Sequence, residues 1–213
     1  NALPALTNGH ITFASFNNLS KMNDATVSLW ARILIALPDA KLLLKTKQFK
    51  DPAVIRTTLQ RFAAQGIATD RLILEGQTPR RDNHLATYWR ADIALDPFPY
   101  PGVTTSAEAL WMGVPVLTLQ GDRFMSRTAA SIAHNVGLPG WIAASEDDYV
   151  AKAIGFAGDL PELSALRDQL RGQVRASPLF DAPRFAKHFE EALWGMWRDK
   201  MRGSPLANQE HPA

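Results

Sequence analysis

The sequence has no cysteine, which excludes disulfides, thiolate nucleophiles and thiolate metal sites. That suits a reducing compartment, so the expected location is the cytoplasm. No stretch approaches the ~18 apolar residues of a membrane span, and no membrane partner is expected. Charge of one sign is also missing. Lys and Arg number 23 against 21 Asp and Glu, for a net charge of +2. They are scattered, so no basic stripe suggests nucleic acid. His10, His134 and His188 have no mutual spacing that suggests a metal site or a triad. The first residue is Asn1 rather than Met and no signal-like segment follows, so the chain reads as a piece of something longer. At 213 residues, 46% of them hydrophobic, one domain with appended helices is expected rather than two full domains.

The most informative stretch is Pro99–Gly121, PYPGVTTSAEALWMGVPVLTLQG. Pro99, Pro101 and Gly102 mark a turn. Thr104 or Thr105 is placed to cap a helix from about Ser106 to Met112, and Gly113 to end it in a left-handed conformation. Val114–Leu119 then reads as a buried parallel strand. A glycine turn opening a helix presents free N–H groups and a positive dipole end, which suits a diphosphate. Glu108, one turn further in, has two readings. It can accept hydrogen bonds from a ribose diol, or close a capping box with Thr105.

Elsewhere, strands are expected at Ile11–Phe16, Lys41–Leu44, Arg71–Glu75 and Ile93–Asp96. Asp24 is expected to cap a helix with Val27, Trp30, Leu34 and Leu37 on its apolar face. Asp51-Pro52 opens a helix that stops at Gly66. Further helices are expected at Arg81–Arg90, Ser126–Val136, Asp147–Phe156, Glu162–Arg175 and Pro183 to about Arg198. Asp92 and Asp96 read as caps or loop supports rather than acids. Arg127, at the start of a helix, is expected to pair with a carboxylate or to reach a ligand crevice. Phe185, Phe189, Leu193 and Trp197 form a helical stripe expected to pack in the core, with part of it open to a partner half. Strand–helix alternation repeated five or six times favours a doubly wound α/β sheet. Ligands of such sheets bind outside the carboxyl ends of the strands. That places the loops of Asn18, Lys21, Gln77, Thr78, Gly102 and Thr104 around one crevice.

The ordered set Phe16-Asn17-Asn18-Leu19-Ser20-Lys21, the Pro79…His84 loop, Ala91–Asp96, the Pro99–Gly121 run, Ser126-Arg127…Ser131 and Ser177-Pro178-Leu179-Phe180 resembles the C-terminal half of the O-linked N-acetylglucosamine transferases, glycosyltransferase family 41. The resemblance covers about Leu6 to Arg198. It implies a Rossmann-like half of a GT-B type two-domain glycosyltransferase over residues 1–180. A helix over 181–202 would pack toward an N-terminal half, with a tail over 203–213. The implied activity is inverting transfer of N-acetylglucosamine from UDP-N-acetylglucosamine to protein Ser or Thr hydroxyls, without metal or other cofactor. The implied partners are that donor, the protein acceptor, and an N-terminal catalytic half with a tetratricopeptide array.

Residue by residue, Lys21 matches the lysine beside the diphosphate, and Asn18 falls where many members have Gln. Thr78 falls where backbone groups read the uracil edge, and Arg80 or Arg81 matches a basic loop position. His84 matches the histidine that lies against the uracil. Gly102, Thr104 and Thr105 match the diphosphate and sugar loop, in which Val103 replaces a histidine of some relatives. Glu108 stands where some members have Asp on the ribose. No two aspartates are spaced Asp-x-Asp, so Lys21 and the N–H groups around Thr104 and Thr105 are left to carry the leaving-group charge. A UDP-N-acetylglucosamine 2-epimerase-like enzyme shares the diphosphate loop and a ribose Glu, and a non-catalytic UDP-sugar-binding module would share both. The Phe-Asn-x-Leu-x-Lys loop argues against the epimerase, and Lys21 against the silent module.

Overall fold

In the computed structural model, residues 1–78 and 80–202 are described; the expected tail over 203–213 and Pro79 lie outside them. Six strands form one all-parallel sheet: β1 (Thr12–Ser15), β2 (Lys41–Lys45), β3 (Leu72–Glu75), β4 (Ile93–Leu95), β5 (Val116–Leu119) and β6 (Ile142–Ala143). Their order across the sheet is β3-β2-β1-β4-β5-β6. The direction of winding reverses between β1 and β4, which pair Phe13 with Ile93 and Ala14 with Ala94. The doubly wound α/β architecture is therefore as expected, with a short sixth strand that two residues of sequence do not announce.

The helices are α1 (Ala5–Asn8), α2 (Asp24–Ala36), α3 (Pro52–Ala63), α4 (Arg81–Thr87), α5 (Thr104–Trp111), α6 (Phe124–Asn135), α7 (Glu146–Gly158), α8 (Leu160–Ala176) and α9 (Ala182–Arg202). The central strands are covered on both faces, which is why they read as continuous apolar runs. Phe13, Leu42, Leu43, Ile93 and Leu117 are fully buried, as is Trp30 of α2. Burying each such side chain contributes about 1.5–3 kcal/mol. α2 packs against α7, and α5 against α8.

Local chemistry explains most helix ends. Asp51 accepts a hydrogen bond from Ala53 N with Pro52 in the first turn, as expected. For α2 the cap is Asn23 rather than Asp24: Asn23 Oδ1 accepts from Thr26 N at 2.8 Å, and Asp24 is the first helical residue. Gly113 has φ +80°, as its place after α5 requires. Asp92, just before β4, accepts from Ala5 N at 2.9 Å and Thr12 N at 2.8 Å, tying α1 to the sheet. Burial pushes its carboxyl up, and those two N–H bonds oppose the shift.

The stripe on α9 departs from expectation. Phe185, Phe189, Leu193 and Trp197 do not pack in the core; together with Trp194 and Met196 they are exposed, and no residue of α9 is buried. Helical period marks an apolar face but not what covers it. Among the described residues no helix is long and apolar enough to cross a membrane.

Candidate functional site

The loops after β1, β2, β3 and β4 all open at the carboxyl edge of the sheet. A cleft of about 530 Å³ lies there, lined among others by Phe16, Asn18, Lys47, Thr78, His84 and Glu108. Arg80 and Arg81 also line it, together with Lys45 and Thr46 at the end of β2. Six of the expected site residues thus meet in one cleft: Asn18, Thr78, Arg80, Arg81, His84 and Glu108. Lys21, Gly102 and Thr105 stand beside it at the β1–β4 reversal, joined by a separate polar network.

Asn17 is the hub of that network. Its Oδ1 accepts from Lys21 Nζ at 3.2 Å and from Thr105 Oγ1 at 3.2 Å. Its Nδ2 donates to Asp96 Oδ1 at 3.4 Å and to Ser15 Oγ at 3.4 Å. Lys21 Nζ also donates to Pro101 O at 2.9 Å and lies 4.2 Å from the centre of the Tyr100 ring. Burial lowers the Lys21 pKa, and the Asp96 charge opposes that shift. Asp96 is 2% exposed and accepts from Gly102 N at 3.0 Å and from Ser106 Oγ at 3.1 Å. Burial raises its carboxyl to about 6 against these bonds and the nearby Lys21 charge. It is a loop support, as the sequence suggests. Gly102 is required here by space: a Cβ would collide with the Ser106 and Thr105 hydroxyls and approach Asp96 Oδ1 to 2.9 Å.

Neither Thr104 nor Thr105 caps α5. Both lie inside the helix, whose cap position is Val103, with no side-chain cap. The first-turn N–H groups therefore receive no side-chain acceptor, and Thr105 spends its hydroxyl on Asn17. Glu108 is likewise not in a capping box. Its Oε2 accepts from Tyr88 OH at 3.3 Å and stands 3.4 Å from His84 Nε2, while Oε1 lies 3.9 Å from Arg81. Burial and the Glu108 charge together push the Tyr88 hydroxyl well up, so it remains a donor to that carboxylate.

An aromatic cluster supports the wall: Phe16 stacks on Tyr88 with centroids 3.7 Å apart, and His84 meets both edge-on. Asn18 is drawn to its own turn, where Oδ1 accepts from Ser20 N at 3.0 Å and also from Gln48 Nε2. Among the described residues Thr78 Oγ1 is buried without a hydrogen-bond partner. Val103 and Thr104 are exposed. Among the described residues no carboxylate pairs with Arg127. It is the fourth residue of α6, its Nε donates to Gly121 O at 3.0 Å, and it lines a second hollow at the ends of β5 and β6.

Sequence reasoning passed over Asn17, Lys45 and Tyr88. Asn17 is only four residues from Lys21, but its bonds to Asp96 and Thr105, like those of Tyr88 to Thr105 and Glu108, span more than 15 positions, which no local spacing reveals. Lys45 closes an apolar strand, yet its buried ammonium pairs with Glu75 Oε2 at 3.4 Å.

A doubly wound parallel sheet with a cleft at the carboxyl ends of its strands is a Rossmann-like α/β domain, a fold that takes its ligands at that edge. The chain matches Glycosyl transferase family 41 over residues 3–189 and belongs to that family. It is 40% identical over 195 residues to a probable UDP-N-acetylglucosamine–peptide N-acetylglucosaminyltransferase SPINDLY of Petunia hybrida, covering 92% of this chain and 21% of that protein. It is 34% identical over 187 residues to the SEC protein of Arabidopsis thaliana, which carries the same probable activity, covering 87% and 19%. Among solved structures, a mutant O-GlcNAc transferase of Thermobaculum terrenum superposes with TM-score 0.85 at 40% identity, over 90% of this chain and 36% of that one. The chain spans about a fifth of the length of the curated relatives it matches.

Proposed function

We propose that this chain is the donor-binding half of an inverting protein O-N-acetylglucosaminyltransferase that takes UDP-N-acetylglucosamine. The observation that carries the reading is Glu108, turned into the cleft by Tyr88 and flanked by His84, beside a helix start free of side-chain caps. A carboxylate held in that way suits a ribose diol, and the uncapped N–H groups suit a diphosphate. Thr78 and His84 both line the cleft, where backbone groups at Thr78 would read the edge of a uracil base and the His84 ring would lie against it.

In transfer, the acceptor Ser or Thr hydroxyl oxygen attacks the anomeric carbon and gives up its proton to a general base, and the bond to the β-phosphate oxygen breaks with its electron pair going to UDP. Lys21 and the first-turn N–H groups of α5 neutralise that charge, so the reading needs no metal. The exposed face of α9 packs toward an N-terminal catalytic half, which supplies the protein-acceptor wall and follows a tetratricopeptide array. Titration calorimetry in EDTA tests the donor site. UDP is expected to bind with a Kd on the order of 10–1000 μM, weakened because no second half closes over it. GDP, of equal charge, is expected to bind less well. UDP binding that appears only with Mg²⁺ overturns the metal-free reading, and GDP binding the tighter overturns the choice of base.

A further inference from the structure

Lys21 ends a flexible four-carbon stem, and such an ammonium is useful only if something aims it. Its nearest side-chain acceptor is Asn17 Oδ1, at 3.2 Å, and the same oxygen receives Thr105 Oγ1 from across the sheet reversal. An amide has one accepting end and one donating end. Which end faces Lys21 is decided on the far side, where Asp96 accepts from Asn17 Nδ2. An ionised carboxylate accepts and cannot donate, so a flipped Asn17 would set oxygen against oxygen. Asp96 also secures Gly102 N and Ser106 Oγ, and so fixes the start of α5, which carries Thr105.

We propose that Asn17, oriented by Asp96, is a positioning residue that aims Lys21 and Thr105 at one point of the cleft edge. The inference rests on the donor-site reading above, but it makes a separate demand: Lys21 must respond to Asn17 whether or not a nucleotide sugar binds. The titratable and charged groups facing the network, among the described residues, are Lys21 on the loop after β1, Asp96 and Tyr100 after β4, Tyr88 after α4 with Glu108 of α5 behind it, and Tyr149 of α7, whose hydroxyl donates to Asp96 O at 3.1 Å.

The test compares the 213-residue chain with Asn17→Ala and the near-isosteric Asn17→Asp. Carbon-13 NMR follows the Lys21 Cε titration without ligand, and calorimetry follows UDP-N-acetylglucosamine, whose diphosphate is esterified at both ends. In Asn17→Ala the freed ammonium is hydrated, so its titration is expected to move back up toward the ordinary lysine range. Donor affinity should fall about tenfold, the scale of one charge-assisted hydrogen bond. In Asn17→Asp the new carboxylate should raise the Lys21 titration further and weaken donor binding at least as much. Asn17→Asp sets an oxygen against Asp96 and a charge beside Lys21, so the uncharged Asn17→Ser, too short to reach Lys21, carries the test if Asn17→Ala does not fold, with the outcomes expected of Asn17→Ala. A melting temperature that falls while the Lys21 titration stays put makes Asn17 a loop support and overturns the proposal. A Lys21 titration that responds in a chain that binds no UDP-sugar leaves the positioning standing and removes the donor reading instead.

Discussion

On the β1–β4 side of the cleft, Lys21, Asn17, Asp96, Gly102 and Ser106 are joined by hydrogen bonds that are largely buried. On the β3 side, Arg80 and Arg81 stand exposed; Arg80 spends its guanidinium on Asp82, two residues along, and Arg81 reaches Glu108 only at 3.9 Å. The first wall is fixed before a ligand arrives, so its charges lose little freedom on binding. The second must order two long side chains at that moment, which offsets much of what they gain. Preorganised charge suits bond breaking, whereas adaptable charge suits grip on a base or phosphate.

The largest effect that sharpens this contrast is Lys21→Met in the complete enzyme. Transfer of radiolabelled sugar is expected to fall by about 10²–10³, with donor affinity falling much less, because the charge it meets develops as the bond breaks. Full transfer by that variant would make the two walls equivalent.

Next comes the cost of holding Asp96 ionised. Its folded pKa, about 6, lies above the ordinary 3.8, so the folded state binds the proton more tightly. The stability it contributes is therefore complete below about 3.8 and lost as pH rises through about 6. Urea unfolding of wild type and Asp96→Asn across that window should show the wild type losing about 3 kcal/mol relative to the variant. Parallel profiles would show that the carboxylate is not strained by burial. The buried wall would then be fixed without the stability cost that a preorganised site accepts.

Glu108→Gln lies between the walls. UDP affinity should drop about tenfold, since a neutral amide accepts less strongly from a diol, while the melting temperature barely moves because Glu108 caps nothing. A drop in melting temperature at unchanged affinity would assign Glu108 to helix stability. The smallest effect is expected from Arg80→Ala: UDP affinity within about threefold of wild type, with a shallower salt dependence. A larger loss would place the decisive charge on the exposed wall.

Much of the fold was legible because it is written locally. The apolar runs at Phe13, Leu42–Leu44 and Leu117 mark strands covered on both faces. Asp51-Pro52 and Gly113 mark helix ends through the dihedral angles they favour. Strand–helix alternation then put the loops of Asn18, Lys21, Thr78 and Gly102 at one edge of the sheet. β6, at two residues, is too short to carry a pattern.

What the sequence determined by itself is the order of elements and the side of the sheet on which the polar loops emerge, since both follow from short-range preference and the hand of the winding. Only the tertiary structure decided which polar groups meet. Thr105 could cap α5 or bond Asn17, and Glu108 could close a capping box or face Tyr88 and His84. Each pair of options involves hydrogen bonds of similar strength, and the choice is made by residues many positions away that packing brings within about 3 Å. The same holds for α9: its period displays an apolar stripe, but whether a stripe is covered depends on what lies opposite, which spacing along one helix does not encode.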